Sequence, residues 1–336
     1  MEVIRGWTHR QFPLSEPSGV GEVRRHAARL AAGMEWGELE MGRLAIVVTE
    51  LGTNLYKHAR KGRLLVGACP ARGEIEIVSI DEGPGIADVG RSLRDGFSTG
   101  GSPGTGLGAV RRLAGDFDLY SAVPCGTLCV ARLRRSGADG PPHALRAGAI
   151  CLPVAGETEC GDAWAAAFDA DGVTVLVADG LGHGPGAAAA SQAAVDLFSE
   201  APALALTAQV EQLHRRLQTT RGAALCCARF DTGGDAVRFT GAGNISGRIV
   251  SGLHDRSFVT AHGTAGLQIR NPVVASVERP PHAVMLLHSD GIASRWDTRP
   301  MLPLLGSDPT LLAALLLRDH SRLRDDATIV VIQQRD

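Results

Sequence analysis

The sequence predicts an α+β protein of two domains, a mixed sheet covered by helices on one face and then a β-sandwich flanked by helices. Its 336 residues are about twice the usual length of a single domain. Hydrophobic residues make up 44% and charged residues 21%, a globular composition that excludes collagen, coiled-coil and disordered classes. The segment RRSGADGPPHALRAG, residues 134–148, has no apolar period and predicts a linker. We therefore expect a domain over 1–135, a linker over 136–148 and a domain over 149–336.

The first domain is predicted to contain two long helices, a short helix and three strands. Apolar residues at helical spacing predict helices over 20–33 and 39–60, and a short helix is expected over 109–113. Runs of branched residues predict strands over 63–69, 74–81 and 127–133. The alternation of glutamate and isoleucine at the start of the second strand predicts one packed face and one solvated face.

The second domain is predicted to contain short strands rich in branched or small residues, and three helices. The strands span 163–168, 173–178, 223–231, 236–241, 283–288 and 327–333. The helices span 185–198, 207–219 and 309–318. This proportion of strands favours a β-sandwich with helices packed on it. Because no repeat of fixed period relates the two halves, we expect two unrelated domains.

Charge and cysteine content restrict the functional class. The 34 basic residues nearly balance the 36 acidic ones, so the chain lacks the basic footprint of a nucleic-acid-binding protein. No apolar stretch approaches the ~20 residues of a membrane span, and the amino terminus has no secretory pattern. We therefore expect a cytoplasmic protein with no nucleic-acid or membrane partner. Seven cysteines without a CxxC pair argue against a disulfide framework and a structural zinc site.

The second predicted helix carries three polar residues on one stripe. Glu50, Asn54 and Lys57 stand at positions i, i+4 and i+7. A carboxylate can serve as a base, an amide oxygen can bind a hard cation, and an ammonium group can offset phosphate charge. A solvated helix face gives the same pattern, so the stripe alone leaves both interpretations open.

Two glycine-containing segments follow in the same domain. In DEGPGI, residues 81–86, Asp81 closes a strand and can accept a hydrogen bond from an adenine amino group, although an Asx-capped turn has the same letters. In STGGSPGTGLG, residues 98–108, glycines open onto a helix whose first N–H groups can face an anion. No βαβ unit carries these glycines, which excludes a Rossmann site.

In this order and spacing, the three motifs resemble the N, G1 and G2 boxes of the GHKL ATPases, which have the Bergerat α/β-sandwich fold, and the run over 81–121 resembles the RsbT-like switch kinases. The resemblance covers 1–135 and implies a serine/threonine kinase that uses ATP and Mg²⁺. In it Glu50 would act as base, Asn54 would bind magnesium, Lys57 would face phosphate and Asp81 would read adenine. The residues implied to shape the ATP pocket and its lid are Gly83, Gly85, Gly104, Thr105, Gly106, Leu107 and Gly108. Thr127 either assists Asp81 or is an ordinary strand residue.

Acidic residues recur where strands of the second domain end. They are Asp162, Asp179, Asp290 and the adjacent pair Asp325 and Asp326. Each alone is an ordinary turn residue. Apolar strands that run directly into Asp-Gly would bring carboxylates to one rim, where cations are needed to neutralise them. Oxygen ligands favour magnesium or manganese over zinc.

The motifs GD, DGLGHG, GAGN, SDG and DDAT occur in an order that resembles the SpoIIE-like branch of the metal-dependent protein phosphatase 2C (PPM) family, over 145–336. The resemblance implies a site for two Mn²⁺ or Mg²⁺ ions in which Asp179 bridges the metals and the two cations lower the pKa of a bridging water. The ligands it implies are Asp162, Asp179, the carbonyl of Gly180, Asp290 and Asp325. Asp326 is less suited, because only one of two adjacent carboxylates readily faces the metals. His183 is a turn residue, a general acid or a metal ligand, and the resemblance favours the turn.

Both resemblances belong to partner-switching systems. Together they imply a kinase and a phosphatase that act on one STAS-domain protein within a sigma-factor regulatory network. Switch proteins of this type often pair, so a homodimer is also considered, with no interface located in the sequence. Two alternatives stay open: a phosphatase whose ATP site only senses nucleotide, and a binding module that sequesters a sigma factor. The intact Glu50 favours chemistry over sensing.

Overall fold

A computed structural model of the chain describes residues 1–94, 106–137 and 143–335. They form two compact units, His9–Pro141 and a second unit that joins Met1–Thr8 to Pro142–Asp336. The first strand, β1 (Glu2–Arg5), explains this division, because it pairs antiparallel with residues 165–168. The boundary expected from the sequence groups β1 with the first domain instead. A four-residue strand whose partner lies far along the chain leaves no local pattern that would reveal the pairing.

The unit His9–Pro141 is an antiparallel sheet with helices. Its elements are β2 (Arg10–Pro13), α1 (Pro17–Gly33), α2 (Glu38–His58), β3 (Arg63–Cys69), β4 (Glu74–Ile80), α3 (Val89–Ser92), α4 (Gly106–Leu113), β5 (Asp116–Ala122) and β6 (Gly126–Arg134). The strand order is β2-β3-β4-β6-β5, and each neighbouring pair is antiparallel. The expectation of a mixed sheet is therefore wrong. Short turns join β3 to β4 and β5 to β6, and such turns lead to antiparallel pairing.

Helix α2 buries its predicted apolar stripe. The buried residues include Leu44, Val47, Val48, Leu51 and Leu55. They share a hydrophobic core with Ile75 and Ile77 of β4. The helical spacing in the sequence therefore predicted correctly which face of α2 packs on the sheet, and it leaves Glu50 and Asn54 on a different stripe.

The glutamates of β4 do not form the solvated face that their alternation predicted. Glu74 and Glu76 are only 2% and 1% exposed. Glu76 accepts a hydrogen bond from Arg132 Nε at 2.7 Å and lies 2.9 Å from His9 Nε2. Glu74 forms an ion pair with Arg134, and burial raises the pKa of Glu74. Ion pairs replace water here, and alternation alone does not distinguish the two environments.

The second unit is a two-sheet sandwich. After β1 its elements are β7 (Leu145–Leu152), β8 (Asp162–Phe168), β9 (Gly172–Gly180), α5 (Pro185–Glu200), α6 (Leu206–Leu217), β10 (Ala223–Asp231), β11 (Ala236–Ala242), β12 (Ser246–Val250), β13 (Asp255–Val259), β14 (Gly263–Thr264), β15 (Gln268–Ile269), β16 (Ala275–Glu278), β17 (Val284–His288), α7 (Pro309–His320) and β18 (Ala327–Gln334). The first sheet has the order β1-β8-β9-β10-β11-β16, and the second has the order β13-β12-β17-β18-β7. All six strands and three helices predicted for this domain are present.

Helices cover the two sheets. Helices α5 and α6 share a hydrophobic core with strands of the first sheet, through residues such as Phe198, Leu213 and Leu225. Helix α7 packs on β7 and β18 of the second sheet. Its leucine-rich stretch is buried, as expected for core rather than membrane sequence. Across the described ranges, the structure contains no helix long and apolar enough to span a membrane.

Candidate functional site

Two aspartates face each other on the first sheet of the second unit. Asp162 begins β8, Asp179 lies near the end of β9, and the antiparallel register places their Cα atoms opposite each other. Asp162 is 1% exposed, and this burial raises its pKa to about 7 against the opposing hydrogen bond from Ser289. Burial, with repulsion from Asp162 and Asp290, raises the pKa of Asp179 to about 9. The charged forms of both carboxylates are therefore disfavoured unless a cation is near.

The second sheet brings the other carboxylates to the same end of the sandwich. Strand β17 ends two residues before Asp290, and β18 begins directly after Asp326. Because β17 and β18 are antiparallel, the end of one meets the beginning of the other. Asp326 accepts the N–H of Gly161, the residue before Asp162, at 2.8 Å, and repulsion from Asp290, Asp325 and Asp326 contributes to the raised pKa of Asp179.

Ser289 joins the two sheets and was not singled out from the sequence. Its hydroxyl donates to Asp162 Oδ2 at 2.6 Å and accepts the N–H of Thr328 at 3.0 Å. Its own N–H donates to the carbonyl of Thr328 at 3.0 Å, and the residue is fully buried. The only local signal was its place in the motif SDG, because Asp162 lies 127 residues away in the chain.

The two adjacent aspartates before β18 differ in their surroundings. Asp326 is buried and accepts backbone N–H groups with both oxygens, from Val154 at 2.7 Å and from Gly161 at 2.8 Å. It thus anchors the segment that leads into β8. Asp325 is exposed and accepts the N–H of Asp326 with Oδ1 at 3.0 Å. Of the two, Asp325 stays the predicted ligand.

The donor chemistry of this rim fits a hard divalent cation. Asp162, Asp179 and Asp290 offer oxygen ligands, and their mutual repulsion is relieved by positive charge. Protein donors occupy some of these oxygens, as Asn244 Nδ2 does for Asp290 Oδ2 at 2.7 Å. In the described part of the chain, no three histidine, cysteine, aspartate or glutamate side chains already form a metal-holding group. The residues therefore fit the cation by the type of their donor atoms.

The turn after Asp179 holds the remaining predicted residues. The N–H of Gly180 donates to the carbonyl of Gly161 at 3.0 Å, which ties the turn to the start of β8. His183 Nδ1 lies 2.7 Å from Glu157 Oε1, and the histidine side chain is 63% exposed. His183 is thus paired with Glu157, which agrees with the turn interpretation.

In the first unit, Glu50 and Asn54 lie where α4 begins. A Cβ at Gly106 would stand 2.9 Å from Glu50 Oε2 and 3.8 Å from Asn54 Oδ1. Both side chains are partly buried, whereas Lys57 is exposed in the last turn of α2. The absence of a side chain at Gly106 therefore lets the backbone of α4 approach the carboxylate and amide of α2.

The other residues of the glycine-rich segment divide into two groups. Leu107 packs against the hydrophobic core and Gly108 is buried, so both hold α4 in place. Gly104 and Thr105 lie outside the described residues.

Asp81 directly follows β4 and is 9% exposed. Its Oδ1 accepts the N–H of Gly83 at 2.6 Å, so the Asx-capped turn left open by the sequence is formed. Its own N–H donates to the carbonyl of Thr127 at 3.0 Å. Adenine recognition by Asp81 stays a prediction, and Thr127 is its neighbour on the adjoining strand β6.

Ser121 supports this turn and was missed by the sequence reasoning. Its hydroxyl accepts the N–H of Ile86 at 2.7 Å and lies 2.9 Å from Thr127 Oγ1. Gly85 has a φ of 76°, and a Cβ there would stand 2.5 Å from the carbonyl oxygen of Ala122. A glycine is required at this close approach, which explains the second glycine of DEGPGI.

Two families match the two halves of the chain. The family described as "Histidine kinase-like ATPase domain" matches residues 14–132, and the family described as "Stage II sporulation protein E (SpoIIE)" matches residues 169–335. The serine/threonine-protein kinase RsbT of Bacillus subtilis (strain 168) is 35% identical over 107 residues, which cover 31% of this chain and 80% of RsbT.

Solved structures agree with these matches. One, described as "The bacterial stressosome: a modular system that has been adapted to control secondary messenger signaling", has a TM-score of 0.53 at 26% identity and covers 57% of this chain and 100% of its own. Another, RsbX in complex with magnesium, has a TM-score of 0.52 at 19% identity and covers 58% of this chain and 98% of its own. At 19% identity, the likeness to RsbX shows a shared fold.

Proposed function

We propose that both domains of this chain act on one serine or threonine of a STAS-domain partner. The chain belongs to the RsbT family of serine/threonine-protein kinases and carries a SpoIIE-type phosphatase domain. The observation that carries this proposal is the presence, in one chain, of a carboxylate rim suited to divalent cations and a helix stripe suited to ATP. The likeness to a protein of the bacterial stressosome supports a partner within a regulatory assembly. We place the reaction in the cytoplasm.

In the kinase half, the proposed chemistry depends on positioning. Glu50 accepts the proton of the incoming hydroxyl and orients its oxygen towards the γ-phosphate of ATP. Asn54 supplies the amide oxygen for Mg²⁺, and Lys57 offsets phosphate charge. Asp81 accepts a hydrogen bond from the adenine amino group. The backbone start of α4, close to Glu50 and Asn54, donates N–H groups to the phosphates.

In the phosphatase half, two Mn²⁺ or Mg²⁺ ions, when bound, would supply an activated water as the nucleophile. The residues that would hold them are Asp162, Asp179, Asp290, Asp325 and the carbonyl of Gly180. Ser289 orients Asp162 by donating to its Oδ2. Asp326 fixes the segment before β8 through two backbone hydrogen bonds, and so keeps Asp162 at the rim.

Phosphate transfer in both directions tests the proposal. The purified full chain is incubated with ATP, Mg²⁺ and the STAS-domain protein encoded nearest to it, and phosphate on that protein is followed by intact-mass spectrometry. The phosphorylated partner is then re-purified and incubated with the chain and Mn²⁺. We expect one phosphate to be added in the first reaction and removed in the second. If none of the STAS-domain candidates is phosphorylated, the kinase assignment is contradicted.

Two variants separate the domains in this experiment. Glu50→Gln is expected to abolish phosphorylation and leave dephosphorylation intact, and Asp179→Asn is expected to do the reverse. If the wild-type chain only dephosphorylates, and ATP changes that rate equally in the wild type and in Glu50→Gln, the nucleotide-sensor alternative is correct. Stable capture of a sigma factor without phosphate transfer would favour the binding-module alternative.

A further inference from the structure

Arg221 lies in the short connection between α6 and β10, and the backbone on both sides of it is fixed. The N–H of Gly222 donates to Thr220 Oγ1 at 3.0 Å, which closes a small turn around Arg221. The carbonyl of Gly222 accepts the N–H of Leu181 at 3.0 Å. The connection is therefore tied directly to the turn that follows Asp179.

The guanidinium group of Arg221 lies across the first turn of α5. A Cβ at Gly186 would stand 2.5 Å from its Nε and 2.6 Å from its Cζ. A Cβ at Gly182 would stand 3.6 Å from its Nη1. The charged group thus occupies space that only glycines leave free, beside the turn formed by residues 180–184.

The carboxylate rim lies against the same turn. A Cβ at Gly161 would stand 3.3 Å from the carbonyl oxygen of Gly182 and 2.6 Å from Asp326 Oδ2. Asp162, the buried carboxylate of the rim, follows Gly161 directly. Gly182 therefore lies near both the Arg221 side chain and Gly161, the residue that precedes Asp162.

The charge of Arg221 has no ionic partner among the residues that the structure describes. Through the described ranges, no acidic side chain forms an ion pair with it, although many exposed arginines of this chain are paired, as Arg5 is with Asp196. The residue is exposed. An accessible guanidinium group near the turn that follows Asp179 is available to an anion that enters the site.

We propose that Arg221 binds the phosphoryl group of the substrate and the phosphate product, as a cation supplied by the protein next to the carboxylate rim. A phosphate dianion that approaches carboxylates meets repulsion, and a nearby guanidinium charge adds to the attraction of bound cations. The guanidinium fork can donate two hydrogen bonds to peripheral phosphate oxygens. Gly182 and Gly186 then serve to seat this arginine. The inference rests on the phosphatase half of the proposed function and is independent of the identity of the protein partner.

The test compares Arg221→Ala, Arg221→Lys and Gly186→Ala with the wild type in the full-length, Mn²⁺-loaded chain. The substrate is p-nitrophenyl phosphate, and inorganic phosphate is the competitive inhibitor. We expect Arg221→Ala to raise KM and the inhibition constant of phosphate in parallel by about tenfold, with a smaller effect on kcat. Arg221→Lys should recover part of the loss, and Gly186→Ala should show part of it because its Cβ displaces the guanidinium. Arg216→Ala, an exposed arginine near the end of α6, is the control and should stay within about twofold.

Calorimetric binding of inorganic phosphate to the same Mn²⁺-loaded proteins gives a readout without turnover. Weaker phosphate binding in Arg221→Ala, with unchanged manganese content and melting temperature, supports the inference. Wild-type phosphate affinity in Arg221→Ala overturns it, as does an equal loss in Arg216→Ala. If Arg221→Ala is unstable, Arg221→Lys and Gly186→Ala decide by the same measurements. Failure to dephosphorylate any STAS-domain protein, with these phosphate effects intact, would reject the proposed function and keep the role of Arg221.

Discussion

The two candidate sites differ in how the negative charge of their carboxylates is offset. In the second unit, aspartates from two sheets are gathered at one rim, and burial and repulsion raise the pKa of Asp179 to about 9. In the first unit, Glu50 shares its helix stripe with an amide and a lysine, and a glycine of α4 provides the close neighbour. Added cations favour the charged form of the rim carboxylates, whereas the helix stripe itself contains a carboxylate, an uncharged amide and an ammonium group. Long-range strand pairing assembles the carboxylate rim of the second unit, and a single helix assembles most of the polar stripe of the first unit.

Replacing the central carboxylate of the rim should have the largest effect. We expect Asp179→Asn to lower phosphatase kcat by about 10³-fold or more, because an amide does not neutralise or bridge two cations. Kinase activity should not change. The measurement is release of p-nitrophenol from p-nitrophenyl phosphate, with ATP-dependent phosphorylation as the parallel assay. Asp171→Asn, an exposed aspartate before β9, is the matched control, and an equal loss there would contradict the assignment.

Replacing the carboxylate of the helix stripe tests the other side of the comparison. Glu50→Gln keeps the shape of the side chain but removes the base, so phosphorylation of the partner should fall by about 10²-fold. ATP binding, measured by calorimetry, should change little. Glu38→Gln in the first turn of the same helix is the control. Unchanged phosphorylation in Glu50→Gln would show that this carboxylate is a solvated helix residue.

The hydroxyl that joins the two sheets should have a moderate effect. Ser289→Ala removes the hydrogen bond to Asp162 Oδ2 and leaves the buried N–H of Thr328 without its acceptor. We expect manganese affinity to fall by about tenfold and stability to fall by about 1–3 kcal/mol. Manganese titration by calorimetry and thermal melting measure the two effects. Ser257→Ala, at an exposed position of β13, should change neither, and unchanged manganese affinity in Ser289→Ala would contradict the positioning role.

The smallest expected effect concerns pH and the metal-free protein. The pKa of Asp179 is raised from its ordinary 3.8 to about 9, so the folded chain retains a proton that the unfolded chain releases. This contribution to stability is complete below pH 4 and is lost as the pH rises towards 9. In the presence of a chelator, we expect the melting temperature to fall by several degrees from pH 6 to pH 9.

Asp179→Asn isolates this contribution, because an amide does not titrate. The difference in melting temperature between the variant and the wild type should grow with pH, and Mn²⁺ should reduce it in the wild type. A difference that stays constant between pH 6 and pH 9 would show that Asp179 is charged in the metal-free protein, in contradiction to its surroundings.

Local patterns predicted much of the fold and the carboxylates that stand at strand ends. The apolar spacing of α2 predicted its buried face correctly, and the strands that end at Asp179 and Asp290 lie where branched residues predicted them. Patterns failed where the decisive partner is distant. β1 pairs within the second unit, and Glu76 is buried beside Arg132 and His9 instead of facing water.

Sequence by itself determined the order of the motifs, the periodicity of the helices and the presence of carboxylates at strand ends, because each depends on neighbouring residues. Tertiary structure decided which carboxylates meet, through the register of β8 with β9 and of β17 with β18. It also decided that Ser289 holds Asp162 and that Arg221 lies beside the turn after Asp179. Hydrogen bonds and charge interactions act over a few ångströms of space, whatever the distance along the chain, so only the folded arrangement selects the partners.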